Sequence, residues 1–314
     1  MNLFAFEQVP FSESSKGYDL IVAASGYESR ARFVAEAVGA KKTSICNYLV
    51  LSFTEHRNEC ARSKNDATFE ELGYRPFLCR GRSDEEVSQI VADALEKLRE
   101  TPEPKVLVDI SSMTRAWYGA IVRSLMALHL DGKVVVHFAY TSAEFVPPPN
   151  EYPPNRIVGP VAGFTGNTLP TKPTALILGL GYDKDRAIGL KDHLDPQLTI
   201  LFYADPASDS RYIPEVLSVN SELLHEVGDE CIFPYSFCDG SAAFRLLESV
   251  TNGLTHDWRV VICSLGPKVF GLYCFLVASL TRDVSIWRVT ADLHEVPFDH
   301  KATGTPLLLQ TTWE

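Results

Sequence analysis

The hydrophobic positions of this chain form short apolar runs that alternate with amphipathic stretches. In the first half, the apolar runs predict strands at residues 18–24, 48–53, 75–80, 105–110 and 133–140. The intervening stretches predict helices at residues 29–39, 57–72 and 115–130, and one that begins with Ser83-Asp84-Glu85-Glu86. Because the strands are apolar at consecutive positions, we expect a parallel sheet that is covered by helices on both faces.

The second half repeats this order. Strands are predicted at residues 174–180, 198–203, 231–235, 258–263 and 284–290, and helices at residues 184–194, 213–227, 240–253 and 268–281. Two segment pairs match: YDLIVAASGYESRAR (18–32) with TALILGLGYDKDRA (174–187), and VLVDISSMTRAWYGAIVRSLMAL (106–128) with VVICSLGPKVFGLYCFLVASL (260–280). The matches predict an α/β fold with two duplicated Rossmann-like parallel-sheet domains in tandem.

The domain boundaries follow from a proline-rich stretch. We expect a first Rossmann-like domain at residues 1–145, a connector at 146–171, and a second Rossmann-like domain with a C-terminal tail at 172–314. The proline density of the connector disfavours helix and central strand, so the connector is expected to be extended. The tail is expected to add an edge strand at residues 306–311 or to dock on a partner.

Composition narrows the possible partners. The 314 residues are 46% hydrophobic and carry a net charge of −11, which opposes binding of duplex nucleic acid by the chain alone. A small anion in a local Arg/Lys pocket is compatible with that charge. No apolar run reaches the roughly 18 residues of a membrane span, and the N-terminal segment lacks signal-peptide features, so we expect a cytoplasmic protein without a membrane partner. Seven cysteines without a CxxC pair predict reduced thiols.

Candidate ligand-binding residues follow the first and fourth predicted strands of each half. In open parallel sheets, ligands bind beyond the carboxyl ends of the strands, where the strand order reverses. Small residues there let backbone N–H groups approach an anion, and Arg or Lys adds positive charge. We therefore expect a small anionic nucleotide-type ligand, held between the two halves. The candidates are Ser25, Gly26, Tyr27, Arg30, Ser111, Ser112, Thr114, Arg115, Gly181, Tyr182, Arg186, Ser264, Gly266 and Lys268.

Two carboxylates are candidate catalytic groups. Asp109 ends a buried strand, where a carboxylate is costly unless it is hydrogen-bonded, so it either caps the turn or has a functional role. Glu28 stands in a first helical turn, where the helix dipole alone favours an acid; alternatively, it pairs with Arg30 inside the cleft. These residues do not decide whether the protein is an enzyme.

The chain lacks the sequence motifs of several well-known classes of enzyme. The chain contains no GxxxxGK[ST] loop, no GxSxG elbow and no HExxH pair. Gly179-Leu180-Gly181 begins a GxGxxG pattern, but Lys184 stands where the third glycine belongs. The histidines are scattered, and the sequence predicts neither a metal site nor a cofactor.

The segment Asp-Ile-Ser-Ser-Met-Thr-Arg at residues 109–115 resembles the turn after the fourth strand in the CARF family of prokaryotic antiviral systems. That turn has an Asp/Asn-x-Thr-Gly-Gly-Thr-Lys-like sequence and contacts a cyclic oligonucleotide; the related SAVED domain is similar to two such units in one chain. Here Ser-Ser-Met replaces the Thr-Gly-Gly core. The resemblance implies ligand-facing positions at Ser111, Ser112, Thr114 and Arg115, with Ser264, Gly266 and Lys268 as weaker counterparts.

Three functional hypotheses follow. The first is a nucleotide-sensing or regulatory module of a defence system. The second is an enzyme on a nucleotide or phosphorylated small molecule, with Asp109 and Glu28 as acid/base or ribose-binding groups. The third is an interaction subunit of a larger defence complex, with the proline-rich connector and the C-terminal tail contacting its partner. Separately, a protein partner or a homo-oligomer is expected. The fold class hosts all three, so it does not choose among them.

Overall fold

In a computed structural model the chain divides into two compact units, one of residues 1–144 with 296–314 and one of residues 145–295. The structure describes residues 1–39, 47–130, 132–148, 155–168, 171–183, 185–291 and 297–314. Lys184, Cys46 and part of the predicted connector lie outside these residues. Each unit contains one sheet in which parallel pairing predominates.

The first unit contains seven strands and four α-helices in its described residues. Its strands are β1 (Leu3–Val9), β2 (Leu20–Ser25), β3 (Asn47–Phe53), β4 (Arg75–Cys79), β5 (Lys105–Asp109), β6 (Val134–Tyr140) and, from the C-terminal segment, β13 (Leu307–Trp313). Its helices are α1 (Phe33–Gly39), α2 (Arg62–Glu71), α3 (Asp84–Glu96) and α4 (Arg115–Ala127), and 3-10 turns cover Phe11–Lys16 and Ser29–Arg32.

The first sheet has the order β1-β13-β6-β5-β2-β3-β4. Strands β2 to β6 run parallel, whereas β13 pairs antiparallel with both β6 and β1. All six residues of β2 are buried, as expected for a central strand with both faces covered. On one face, Ile21 and Leu107 pack with Val34 of α1 and Phe69 of α2.

The second unit contains six strands and five α-helices in its described residues. Its strands are β7 (Asn155–Thr165), β8 (Thr174–Gly179), β9 (Leu198–Ala204), β10 (Ile232–Tyr235), β11 (Arg259–Ser264) and β12 (Val284–Ala291). Its helices are α5 (Arg186–Leu194), α6 (Tyr212–Val219), α7 (Ser221–Glu226), α8 (Gly240–Thr255) and α9 (Lys268–Leu280), with a 3-10 turn at Asp229–Cys231. The sheet order is β10-β9-β8-β11-β12-β7.

The two units share one strand order. In each, the five parallel strands lie in the spatial order third, second, first, fourth, fifth, and an antiparallel strand joins the fifth. The predicted α/β fold with two Rossmann-like sheets is therefore confirmed. In both sheets the strand order reverses between the first and the fourth parallel strand, which are β2 and β5 in one unit and β8 and β11 in the other.

The C-terminal segment does not belong to the domain predicted for it. The strand expected near residues 306–311 exists as β13, but it lies inside the first sheet and not at the edge of the second domain. Its two partners, β1 and β6, stand far from it in sequence, so local pattern could not reveal the pairing. The assignment of the whole tail to the second domain is therefore wrong.

The connector also contains an element that the prediction missed. Residues 155–165 form β7, which pairs with β12 and forms the edge of the second sheet among the described residues. Pro160 is compatible with an edge strand because one side of its backbone needs no ladder hydrogen bond. The helix predicted at residues 213–227 is interrupted at Asn220, which separates α6 from α7.

None of the helices among the described residues is long and apolar enough to cross a membrane.

Candidate functional site

The turns after β2 and β5 meet at the carboxyl edge of the first sheet. These two strands are neighbours in the sheet, so both turns start at the same edge. The Ser112 hydroxyl, from the second turn, donates a hydrogen bond of 3.3 Å to Glu28 Oε2 of the first. The structure thus brings the two candidate turns of the first half together, as the strand order requires.

Glu28 and Arg30 form a buried ion pair at this edge. Arg30 Nε lies 2.8 Å from Glu28 Oε2, and the side chains are only 7% and 13% exposed. Arg30 Nη1 also donates to the carbonyl of Thr141 at 3.3 Å. Burial opposes the charge of Arg30, but Glu28 and Tyr140 outweigh it and raise the pKa of the guanidinium. Of the two roles weighed for Glu28, the geometry matches the pairing with Arg30.

Asp109 holds its own turn in place. Its Oδ1 accepts hydrogen bonds from the Ser111 amide at 3.0 Å and from the Ser111 hydroxyl at 2.5 Å. The Ser111 hydroxyl in turn accepts from the Thr141 amide at 2.8 Å. Ser111 is fully buried and Asp109 is 3% exposed. Both side chains therefore tie the end of β5 to the end of β6.

The helix after β5 begins with a capped first turn. The Thr114 hydroxyl accepts from the Trp117 amide at 3.3 Å and donates to the carbonyl of Gly81 at 3.1 Å. The first turn of α4 contains no acidic residue, and Arg115 is its first residue. The Trp117 indole stacks on Phe53 with 4.0 Å between ring centroids, which packs the start of α4 on β3.

The turn after β2 is held by residues of α2 that the sequence analysis missed. Asn65 Nδ2 donates to the carbonyls of Gly26 and Glu28, both at 2.8 Å. The Ser25 hydroxyl donates to Asp66 Oδ1 at 2.6 Å, and the buried Arg62 guanidinium binds the same carboxylate at 2.9 Å. Tyr27 is half-buried and its ring contacts His56 edge-on at 5.5 Å.

The C-terminal segment covers the same turn. Asp299 Oδ1 accepts from the Ser29 amide at 2.6 Å, and the Arg30 amide donates to the carbonyl of His300 at 3.3 Å. A carboxylate of the chain itself thus lies at the amide that follows the Gly26-Tyr27-Glu28 turn.

In the second unit, the turns after β8 and β11 pack directly on each other. The Leu265 and Gly266 amides donate to the carbonyl of Gly179 at 2.7 Å and 3.0 Å. A Cβ on Gly181 would overlap the carbonyl oxygen of Leu265, and one on Gly266 would overlap that of Leu180. Close approach of the two backbones therefore accounts for both glycines.

Side chains of the second unit repeat part of the first. Arg186 Nη1 pairs with Asp183 Oδ2 at 2.6 Å, as Arg30 pairs with Glu28. Asn220 Nδ2 donates to the carbonyl of Gly181 at 2.8 Å, as Asn65 donates to Gly26. Both asparagines follow their glycine by 39 residues. This common spacing is the signal in the sequence that would have identified them.

An aromatic pair lies next to Gly181. The rings of Tyr182 and Tyr212 are nearly parallel, with 5.6 Å between centroids and an angle of 11°. Phe145 contacts Tyr212 edge-on, with 4.8 Å between the ring centroids. The Arg211 guanidinium lies 4.5 Å from the centre of the Phe145 ring. Tyr182 and Tyr212 are both half-buried.

The helix after β11 begins without a side-chain cap. Pro267 precedes it, Lys268 is its first residue, and its first turn contains no acid. The Ser264 hydroxyl, at the end of β11, is buried and has no hydrogen-bond partner among the described residues. The same holds for Arg186 Nε. The corresponding serine of the first unit, Ser111, is by contrast hydrogen-bonded to Asp109 and to the Thr141 amide.

The chain has low similarity to the known proteins with which it was compared. The sequence matches no protein-family model and no curated protein. A protein of unknown function from Pseudomonas aeruginosa is 13% identical with a TM-score of 0.28, over 89% of this chain and 95% of that one. The cytoplasmic domain of a prokaryotic cation chloride cotransporter is 10% identical with a TM-score of 0.26, over 87% and 95%. At these values neither likeness bears on the function of this chain.

Proposed function

We propose that this protein is a regulatory module that binds a small anionic, nucleotide-type ligand at the carboxyl edge of its sheets. One observation carries the proposal: in both units, the helix that follows the fourth parallel strand begins with a cation, Arg115 or Lys268, and has no acid in its first turn. The N-terminus of a helix carries partial positive charge, which favours acids and disfavours cations. A bound anion offsets both positive contributions.

Two further features support a nucleotide as the source of that anion. The half-buried Tyr182–Tyr212 pair offers aromatic surface near the turns of the second unit, and bases stack on such rings. The resemblance of residues 109–115 to the CARF turn also favours a nucleotide, and in its most specific form a cyclic oligonucleotide in a defence system.

The carboxylates support a regulatory role over a catalytic one. Asp109 accepts hydrogen bonds from Ser111, and Glu28 pairs with Arg30 and accepts from Ser112. A general base must reach a substrate proton. Carboxylates engaged in this way are suited to holding turns in place.

The test is calorimetric titration with mononucleotides and with linear and cyclic oligonucleotides, using unphosphorylated nucleosides as matched controls. We expect a phosphorylated ligand to bind and its nucleoside not to bind. The double variant Arg115→Gln/Lys268→Gln should lose at least 1.5–3 kcal/mol of affinity, roughly the contribution of one charged hydrogen bond. Absence of binding across the panel, or full binding by the double variant, would contradict the proposal.

A further inference from the structure

We infer that a phosphate group binds at the start of α9 in the second unit, and that the equivalent turn of the first unit is closed by the chain's own hydrogen bonds. This inference rests on the proposed function and assigns the phosphate to one of its two sites. It also reverses the ranking implied by the CARF resemblance, in which Ser264 and Lys268 are the weaker counterparts.

The serine and threonine side chains of the first turn are already engaged in hydrogen bonds. Ser111 bonds to Asp109 and to the Thr141 amide, Ser112 bonds to Glu28, and Thr114 bonds to Gly81 and Trp117. At the turn after β2, the Asp299 carboxylate already accepts a hydrogen bond from the Ser29 amide. A phosphate at this edge would have to displace these bonds.

The turn before α9 has the opposite character. Ser264 is 8% exposed, and its hydroxyl makes no hydrogen bond to any described residue. A buried hydroxyl without a partner destabilises the fold, so an oxygen ligand that accepts a hydrogen bond from it recovers that loss. Thr141 Oγ1 in the first unit also lacks a described partner, but it follows β6 and precedes no helix.

The surroundings of Ser264 fit an oxyanion. Helix α9 is 13 residues long, its Pro267 N-cap position supplies no side-chain acceptor, and Lys268 adds a full positive charge at its first residue. The turn after β8 packs against this turn through the Gly179 carbonyl, and its Asp183 carboxylate is paired with Arg186 at 2.6 Å. A phosphate brings an acceptor oxygen to the Ser264 hydroxyl, and its negative charge is favoured by the N-terminus of α9 and by Lys268.

The experiment compares single variants, with inorganic phosphate and AMP as probes in calorimetry. We expect AMP to bind, inorganic phosphate to compete with it, and Lys268→Gln to weaken AMP at least tenfold, with a loss at least five times that of Arg115→Gln. Ser264→Ala should weaken AMP severalfold while the melting temperature holds or rises, because the substitution removes an unsatisfied buried group. Lys97→Gln, an exposed charge at the end of α3, controls for net charge.

The outcomes separate this inference from the proposed function. A larger loss with Arg115→Gln than with Lys268→Gln would place the phosphate in the first unit and overturn the inference while the proposed function stands. AMP binding that phosphate does not displace would overturn the phosphate assignment. No binding of either probe, together with a negative panel of larger nucleotides, would overturn both.

Discussion

Asn65 and Asn220 make the same hydrogen bond in the two units. Each side-chain amide donates at 2.8 Å to the carbonyl of a glycine that lies 39 residues earlier, Gly26 for Asn65 and Gly181 for Asn220. Both asparagines are buried, at 0% and 6% exposure. Because spacing, partner and burial are the same, this hydrogen bond has the same role in both units, which is to fix the turn after the first parallel strand.

We predict that Asn65→Ala and Asn220→Ala each lower the free energy of unfolding by about 1–3 kcal/mol, because each leaves a buried carbonyl without its donor. Urea unfolding measures the loss. Asn252→Ala is the control, since Asn252 is exposed in α8 and alanine is the better helix former. Equal effects of all three substitutions would contradict the structural role of the two buried amides.

The sequence predicted the sheets better than the contacts of the site. Apolar runs located ten of the strands, because a strand that is buried on both faces is apolar at consecutive positions. The position of β13 between β6 and β1 is invisible locally, since it depends on pairing with distant segments. The hydrogen bonds of Ser111 and Ser112 could not be predicted either. The sequence of a turn does not show whether its serine bonds to Asp109, to Glu28 or to a ligand.

The glycines of the second unit give a second prediction. Gly266→Ala should destabilise the protein by about 1–3 kcal/mol, because its Cβ would overlap the carbonyl of Leu180 and force the two turns apart. Gly189→Ala should stabilise it by about 0.5–1 kcal/mol, because Gly189 lies in α5 with open space around its Cβ position. Chemical denaturation of both variants checks the contrast, which a tolerated Gly266→Ala would refute.

The buried ion pair gives a third prediction. Glu28→Gln removes the charge that compensates Arg30 and should destabilise the protein by roughly 3 kcal/mol, the usual scale for breaking a buried pair. Glu96→Gln breaks the exposed pair with Arg99 and should have no measurable effect. Thermal unfolding compares them. Similar melting temperatures for the two variants would show that the pair at the first sheet edge is hydrated.

A fourth prediction concerns His137, which lies in a chain of hydrogen bonds across the first sheet. Gln310 Nε2 donates to Glu7, so Gln310 Oε1 accepts from His137 Nε2 at 2.9 Å, and His137 Nδ1 accepts from the Tyr18 hydroxyl at 2.8 Å. This arrangement requires neutral histidine. Burial lowers the pKa of His137 below its ordinary 6.5; Lys105 lowers it further, and the Gln310 hydrogen bond, Glu13 and Glu7 oppose this.

Because the folded protein takes up this proton less readily than the unfolded chain, His137 contributes stability that is complete above pH 6.5. That contribution is lost as the pH falls from 6.5 through the lowered pKa of the folded state. We expect the stability difference between the wild type and His137→Gln to shrink over this window and to stay constant above it. Melting temperatures across pH check this, and a difference independent of pH would contradict the neutral state of His137.

The most direct test of the proposed ligand site is amide NMR of the deuterated protein during titration with AMP. Binding at the start of a helix changes the environment of its first backbone amides, so the affected residues report the site. We predict that the largest shift changes fall at Lys268 and Val269, with smaller changes at Tyr182 and Arg186. Shift changes confined to other regions, or none at saturating AMP, would contradict phosphate binding at the start of α9.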